Sequence, residues 1–176
     1  MEILLEIFPG LQEVGVLWNP NHPNTPIAFQ EASEAAAQLG LVLRSVQASE
    51  LREIGPALAE AASQGVKAVL VLRDPLLVRN RENIVKTMND LGLAAIYETP
   101  DFIAAGGLIA YGADLAALFR QAADYVDRIL KGADPAELAV QQPTSFHLVV
   151  NQRAARDLRI ELPVTLLAIA DEVLEE

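Results

Sequence analysis

Short apolar runs that alternate with amphipathic segments most constrain how this chain can fold. Runs rich in β-branched or other apolar residues begin at Val14, Leu41, Ala68 and Ala94, and a later one spans Phe146–Val150. The first four starts lie about 27 residues apart, the ordinary length of a strand followed by a helix. The spacing therefore predicts an α/β fold with an open, mainly parallel sheet flanked by helices.

Proline and glycine residues mark where the connecting helices should begin and end. We expect helices from Thr25 to Gly40, from Pro56 to near Gly65, from Asp74 to Gly92 and from Asp114 to Lys131, with two more around Gln152–Leu158 and Pro163–Leu174. The start at Pro56 assumes that Gly55 and Pro56 interrupt any helix capped by Ser49.

The composition of the chain argues against several classes of function. The formal net charge of -11 argues against nucleic acid or an anionic membrane as the main partner, since both require a basic face. No apolar run approaches the roughly 18 residues of a membrane-spanning helix, so we expect no membrane insertion. The chain has no cysteine, which excludes disulfides, thiolate ligands and a cysteine nucleophile.

Polar residues follow the predicted strands, where open parallel sheets bind their ligands. We select Asn24, Thr25, Asp74 and Glu98 as candidate ligand-binding residues. Asn24 and Thr25 could instead form a plain turn with a helix cap, and Asp74 could cap a helix or pair with Arg73.

Other interpretations of these residues are weaker. A phosphoacceptor role for Asp74 would require further carboxylates for Mg²⁺, and the first strand offers none. Trp18 is expected to pack in the core rather than stack on a ligand. Glu98 is a lone acid–base candidate without an evident partner.

Catalytic and metal-binding patterns are missing from the sequence. His22 and His147 are far apart and form no metal-binding motif, so we expect surface or packing histidines. Gly106–Gly112 has neither the dinucleotide-binding glycine order nor a P-loop lysine. We therefore expect no catalytic residue, metal or cofactor, and a binding protein rather than an enzyme. An undetected enzyme using Asp74 and Glu98 stays as a minor alternative.

Long ordered strings carry a family resemblance. They include Gly106–Asp114, Tyr125–Gly132, Gln142–Thr144, Val149–Asn151 and Ala170–Val173, with Val16–Pro20 in the first half. In these strings the chain resembles the ABC-transporter substrate-binding family of the type I periplasmic-binding fold. The resemblance implies a soluble receptor whose two lobes close around a small solute, such as an amino acid, and deliver it to an ABC permease.

The same resemblance implies that the four candidate residues face the cleft between lobes, and that the protein is periplasmic or extracytoplasmic. The acidic start of the chain, without the positive charge of an export signal, predicts instead a cytoplasmic protein as written. An intracellular α/β regulatory or interaction module without a transport role is therefore the alternative.

Only the second half of the family pattern is matched, so we expect a truncated receptor without its first lobe. Residues 1–105 with 138–176 would form the C-terminal lobe, and residues 106–137 a crossover segment that packs on the missing lobe. Such a half-cleft should bind weakly alone.

The apolar stripe of the Asp114–Lys131 helix predicts a homodimer. Arg159 stands where relatives usually have glycine, which would remove an easy left-handed helix cap.

Overall fold

The computed structural model describes residues 1–175, which build one open seven-stranded sheet. The strands are β1 (Glu13–Trp18), β2 (Val42–Gln47), β3 (Ala68–Val71), β4 (Ala94–Tyr97), β5 (Ile109–Ala113), β6 (Phe146–Asn151) and β7 (Glu172–Leu174). Their order is β2-β1-β3-β4-β5-β6-β7, and every neighbouring pair is parallel except β5 and β6. The predicted open, mainly parallel sheet is confirmed.

Helices cover both faces of this sheet. They are α1 (Glu2–Ile7), α2 (Thr25–Gln38), α3 (Leu51–Ser63), α4 (Pro75–Arg79), α5 (Arg81–Asp90), α6 (Asp101–Ala104), α7 (Leu115–Leu130), α8 (Gln152–Asp157) and α9 (Val164–Ile169), with a 3₁₀ turn at Pro135–Glu137. None of the helices in this part of the chain is long and apolar enough to cross a membrane.

The core has two main parts, one on each face of the sheet. On one face, α3, α5 and α6 bury residues such as Leu58, Met88 and Phe102. On the other face, α1, α8 and α9 bury residues such as Leu4 and Leu166. Burial on both faces explains why β3 and β4 are almost uniformly apolar.

The predicted start of α3 at Pro56 is wrong. The helix begins at Leu51, because Glu50 and Glu53 form a capping box in which the Glu53 carboxylate accepts hydrogen bonds from the backbone N–H groups of Ser49 and Glu50. Ser49 is therefore outside the helix, and Glu50 is its cap. Pro56, the sixth residue of α3, stands inside the helix, where its missing N–H leaves the carbonyl of Arg52 without its usual partner.

Two other predicted helices are shorter than expected. The segment from Asp74 to Gly92 divides into α4 and α5, because the side-chain amide of Asn80 donates to the carbonyl of Leu76 at 2.7 Å and ends the first helix. The last helix stops at Ile169, and residues 172–174 pair with β6 as a parallel strand.

Arg159 keeps the left-handed conformation that a glycine would adopt with less strain. It is the residue after the C-cap of α8 and has φ = 57°. The N–H of Ile160 bonds to the carbonyl of Ala155 at 2.8 Å, and the N–H of Arg159 to that of Arg156 at 3.0 Å, which is a Schellman ending. The helix cap is therefore present, and the arginine side chain makes it strained rather than absent.

Replacing Arg159 with glycine should therefore stabilise the protein by about 1 kcal/mol, because an L-residue in the left-handed region is strained by roughly that amount. Urea unfolding of both proteins measures the difference. The control is Arg153→Gly in the exposed face of α8, which should lower the free energy of unfolding by about 1 kcal/mol. A lower stability for Arg159→Gly would contradict the assignment of strain.

Candidate functional site

Hydrogen bonds connect the carboxyl ends of β1, β3 and β4. The side-chain amide of Asn19 donates to Oδ2 of Asp74 at 3.2 Å, and the hydroxyl of Thr25 lies against the carbonyl of Asn19. Glu98 Oε2 accepts a hydrogen bond from the N–H of Arg73 at 3.2 Å. The loops that carry Thr25, Asp74 and Glu98 are thus linked into one edge.

Asp74 is the buried centre of this edge. Only 1% of its surface is exposed, and Oδ1 accepts from the backbone N–H groups of Leu76 and Leu77 at 2.7 and 3.2 Å. The interpretation of Asp74 as a helix cap is confirmed. With both oxygens engaged, the carboxylate holds the Asn19 loop to the start of α4 rather than facing solvent.

The first loop contains the other two early candidates. Thr25 is buried and begins α2, whereas Asn24 is exposed and its side chain makes no capping bond. Trp18, at the end of β1, stacks on Phe29 with ring centroids 4.6 Å apart and donates from Nε1 to the Ser45 hydroxyl. Trp18 packs in the core, as expected.

A cavity of about 560 Å³ lies beside Glu98, at the carboxyl ends of β4 and β5 and the beginnings of α7 and β6. Its polar lining comes from Arg73, Glu98, Thr99, Asp101, Asp114 and His147, and its apolar lining includes Tyr111, Leu118, Phe146 and Val149. We call this the edge cavity. Of the four residues selected from the sequence, only Glu98 lines it.

Local geometry explains how the edge cavity forms. Gly112 in β5 lies so close to the end of β4 that a Cβ there would overlap the carbonyl oxygen of Glu98, so a side chain could not be accommodated without a backbone shift. Asp114 then caps α7 by accepting a hydrogen bond from the N–H of Ala117 at 3.0 Å. The chain therefore turns from β5 directly into α7, and the first residues of α7 line the edge cavity.

Glu98 and Thr99 are polar groups in an unfavourable environment. Burial raises the pKa of the Glu98 carboxyl above its ordinary value, and the nearby Arg73 opposes that rise. Thr99 is 4% exposed, and its hydroxyl oxygen has no hydrogen-bond partner among the described residues. Buried polar groups are usually paired, so the Thr99 hydroxyl lacks a partner that a bound molecule could supply, whereas the Glu98 carboxylate has one backbone partner and is disfavoured in its charged form by burial.

Sequence reasoning missed most of the edge cavity. Thr99 was in the polar stretch after β4 but was not selected. Tyr111 and Phe146 become neighbours only through the antiparallel register of β5 and β6, for which the sequence carries no local signal. His147 is exposed and also lines the cavity. Within residues 1–175, no three acidic or histidine side chains are grouped so that they could hold a metal.

Residues 1–174 match the family model described as ABC transporter substrate binding protein. The chain belongs to this family. The resemblance seen in the sequence is thereby confirmed. A search of the curated proteins returned no significant match.

Several solved structures share the fold of this chain. A conserved domain protein from Vibrio cholerae is 27% identical, with a TM-score of 0.89, and the alignment covers 98% of this chain and 58% of that one. An ABC domain from Streptococcus pneumonia in complex with L-Trp is 22% identical, with a TM-score of 0.88 and the same coverage of 98% and 58%.

A ligand-free, open substrate-binding protein with adhesive properties from Clostridium difficile is 18% identical, has a TM-score of 0.76, and is also covered over 58% of its length by 98% of this chain. The chain thus spans a little over half the length of these relatives. The edge cavity belongs to the part of the fold that this family member shares with them.

Replacing Glu98 with glutamine should stabilise this ABC transporter substrate-binding protein at pH 7 to 8. A raised pKa means that the folded protein favours the neutral form of Glu98 and disfavours the ionised form. Wild-type stability therefore falls as the pH rises through that pKa, whereas glutamine stays neutral. The stability difference between variant and wild type should disappear below the ordinary carboxyl pKa of 4.5. Urea unfolding across this pH range measures it.

The matched control is Glu31→Gln on the exposed surface of α2, which should change the free energy of unfolding by less than about 0.5 kcal/mol. A Glu98→Gln variant that is less stable than wild type at neutral pH would contradict the electrostatic assignment.

Proposed function

We propose that this chain forms the ligand-facing lobe of an ABC-transporter solute-binding protein for a small solute such as an amino acid. The edge cavity carries the proposal, because it combines the partly buried Glu98 carboxylate, the unpaired Thr99 hydroxyl and aromatic side chains at the carboxyl edge of a parallel sheet. Membership of the family and the L-Trp complex of one structural relative support the same role.

The four candidate residues have two kinds of role in this proposal. Glu98 lines the edge cavity and contacts the solute there. The exposed Asn24 lies outside the edge cavity and faces the cleft between the lobes. The buried Thr25 and Asp74 position the loop between β1 and α2, since both bond to Asn19. The permease partner and an extracytoplasmic location belong to the complete receptor.

We also propose that residues 1–105 with 138–176 form one lobe and that residues 106–137 pack on another. In support, no residue of α7 is buried, and Phe119 and Leu130 are 75% and 81% exposed. A helix with such an unpartnered apolar face normally contacts another surface. In the chain alone, that surface is the same helix of a second copy.

The chain alone should bind aromatic amino acids with a dissociation constant in the millimolar range, because one lobe buries only part of a solute. Titration calorimetry against tryptophan, phenylalanine and leucine measures the affinity. A micromolar or tighter site would contradict the half-cleft argument. If none of the three amino acids binds at about 20 mM, a concentration on the order of the weakest dissociation constant that calorimetry can detect, the interaction-module alternative is favoured.

Asp74→Ala should weaken whatever binding is found by about tenfold, because it releases the Asn19 loop and uncaps α4. Asp90→Ala, at the exposed end of α5, is the matched control and should leave the affinity unchanged. An unchanged affinity in Asp74→Ala would remove Asp74 from the site.

The apolar face of α7 should make the chain a homodimer at micromolar concentration. The double variant Phe119→Ser and Leu130→Ser should shift it to monomer, because both side chains are among the most exposed apolar groups. Light scattering after size exclusion measures the mass. The control is Ile27→Ser, which removes a similarly exposed apolar residue from α2. A stable, non-aggregating wild-type monomer would overturn the dimer.

A further inference from the structure

The unpaired hydroxyl of Thr99 is the first observation that specifies what the edge cavity binds. Thr99 follows β4 directly, is 96% buried, and has no hydrogen-bond partner for Oγ1 within the described part of the chain. Leaving such a group unpaired costs free energy that a bound polar group would recover. A hydroxyl oxygen offers lone pairs to a donor from the ligand.

Glu98 adds a second acceptor next to Thr99. Its carboxylate is partly buried, and Oε2 accepts a hydrogen bond from the N–H of Arg73. A carboxylate has about four lone-pair positions, so this bond leaves most of its accepting capacity free. Both residues line the edge cavity, and two acceptors on consecutive residues, one of them acidic, suit a ligand that presents several N–H donors and a positive charge.

The charges around the edge cavity favour a cation as well. Three carboxylates line it, those of Glu98, Asp101 and Asp114, against the single guanidinium of Arg73. His147 and the phenol of Tyr111 are the other titratable groups of the lining. Asp114 is bound to the N-terminus of α7, where its hydrogen bond to the N–H of Ala117 lowers the pKa of its carboxyl and keeps it ionised. It also offsets the positive end of the helix dipole.

An aromatic wall defines the other half of the cavity. Tyr111 and Phe146 are stacked with ring centroids 5.7 Å apart and are 44% and 50% exposed. Aromatic faces left exposed beside a polar pocket provide apolar contact area, and their π-systems also attract cations. The volume of about 560 Å³ is in the usual range for small-molecule sites.

From this arrangement we infer that the edge cavity binds a small organic amine, with its ammonium group between Glu98 and Thr99 and its apolar or aromatic part against Tyr111 and Phe146. The inference rests on the proposed solute-binding function and names its recognition chemistry. The ammonium group, rather than a carboxylate, is what this lobe recognises in the solute.

Three probes that share an indole ring separate these contributions. Tryptophan carries both charged groups, tryptamine only the ammonium, and indole-3-propionate only the carboxylate. Titration of the ¹⁵N-labelled chain, followed by amide chemical shifts, should place tryptophan and tryptamine at Glu98 and Thr99. Indole-3-propionate should bind at least about tenfold more weakly, since it offers no donor to either residue.

Variants test the same contacts. Glu98→Gln should weaken tryptamine binding by about tenfold, and Thr99→Val by about threefold to tenfold, because each removes an acceptor from the ammonium group. The stabilising effect expected for Glu98→Gln keeps folding out of the comparison. Glu34→Gln, which removes an equal charge from the exposed surface of α2 and does not line the edge cavity, should leave the affinity unchanged.

Failure of the inference differs from failure of the proposed function. If indole-3-propionate binds as tightly as tryptamine, or Glu98→Gln leaves the affinity for tryptamine unchanged, the ammonium site is overturned while solute binding stands. If none of the three probes shifts any amide at 20 mM, on the order of the weakest measurable affinity, the solute-binding function fails and the inference with it.

Discussion

Parallel pairing of the first five strands is the constraint on which the rest of the structure depends. Parallel neighbours require crossover connections, so all their carboxyl ends lie at one edge of the sheet. That edge brings Asn19, Asp74 and Glu98 together from three separate loops. The hydrogen bonds among them form only because the strands are in register, and the edge cavity is built next to them.

Unfavourable features of the molecule are concentrated at that edge. The core has ordinary apolar packing on both faces of the sheet, yet the edge cavity holds the unpaired hydroxyl of Thr99 and a carboxyl group, that of Glu98, whose pKa is raised by burial. Gly112 provides the close approach of β5 to β4 that a side chain would prevent. Binding sites typically contain groups that destabilise the folded protein, and the packed core compensates for that cost.

Helix α7 differs from the helices on the sheet faces. Its sequence is strongly amphipathic, and a pattern of this kind normally indicates a face packed on a core. In the structure none of its residues is buried, and Leu130 is 81% exposed. The sequence pattern thus predicts a packing partner for α7 that is not found among the described residues. Arg159 shows a smaller conflict of the same type, because the backbone of a glycine is kept with an arginine side chain.

The sequence by itself determined the alternation of β1 to β4 with helices, the helix cap at Asp74 and the core position of Trp18, because these follow from hydrophobic periodicity and local hydrogen bonding. Tertiary structure decided what lines the edge cavity, since Tyr111 and Phe146 meet only through the antiparallel pairing of strands separated by α7. It also decided that β7 is a strand, because residues 172–174 gain their backbone partners only from β6. Local preference cannot encode either result, for both depend on hydrogen bonds between distant segments.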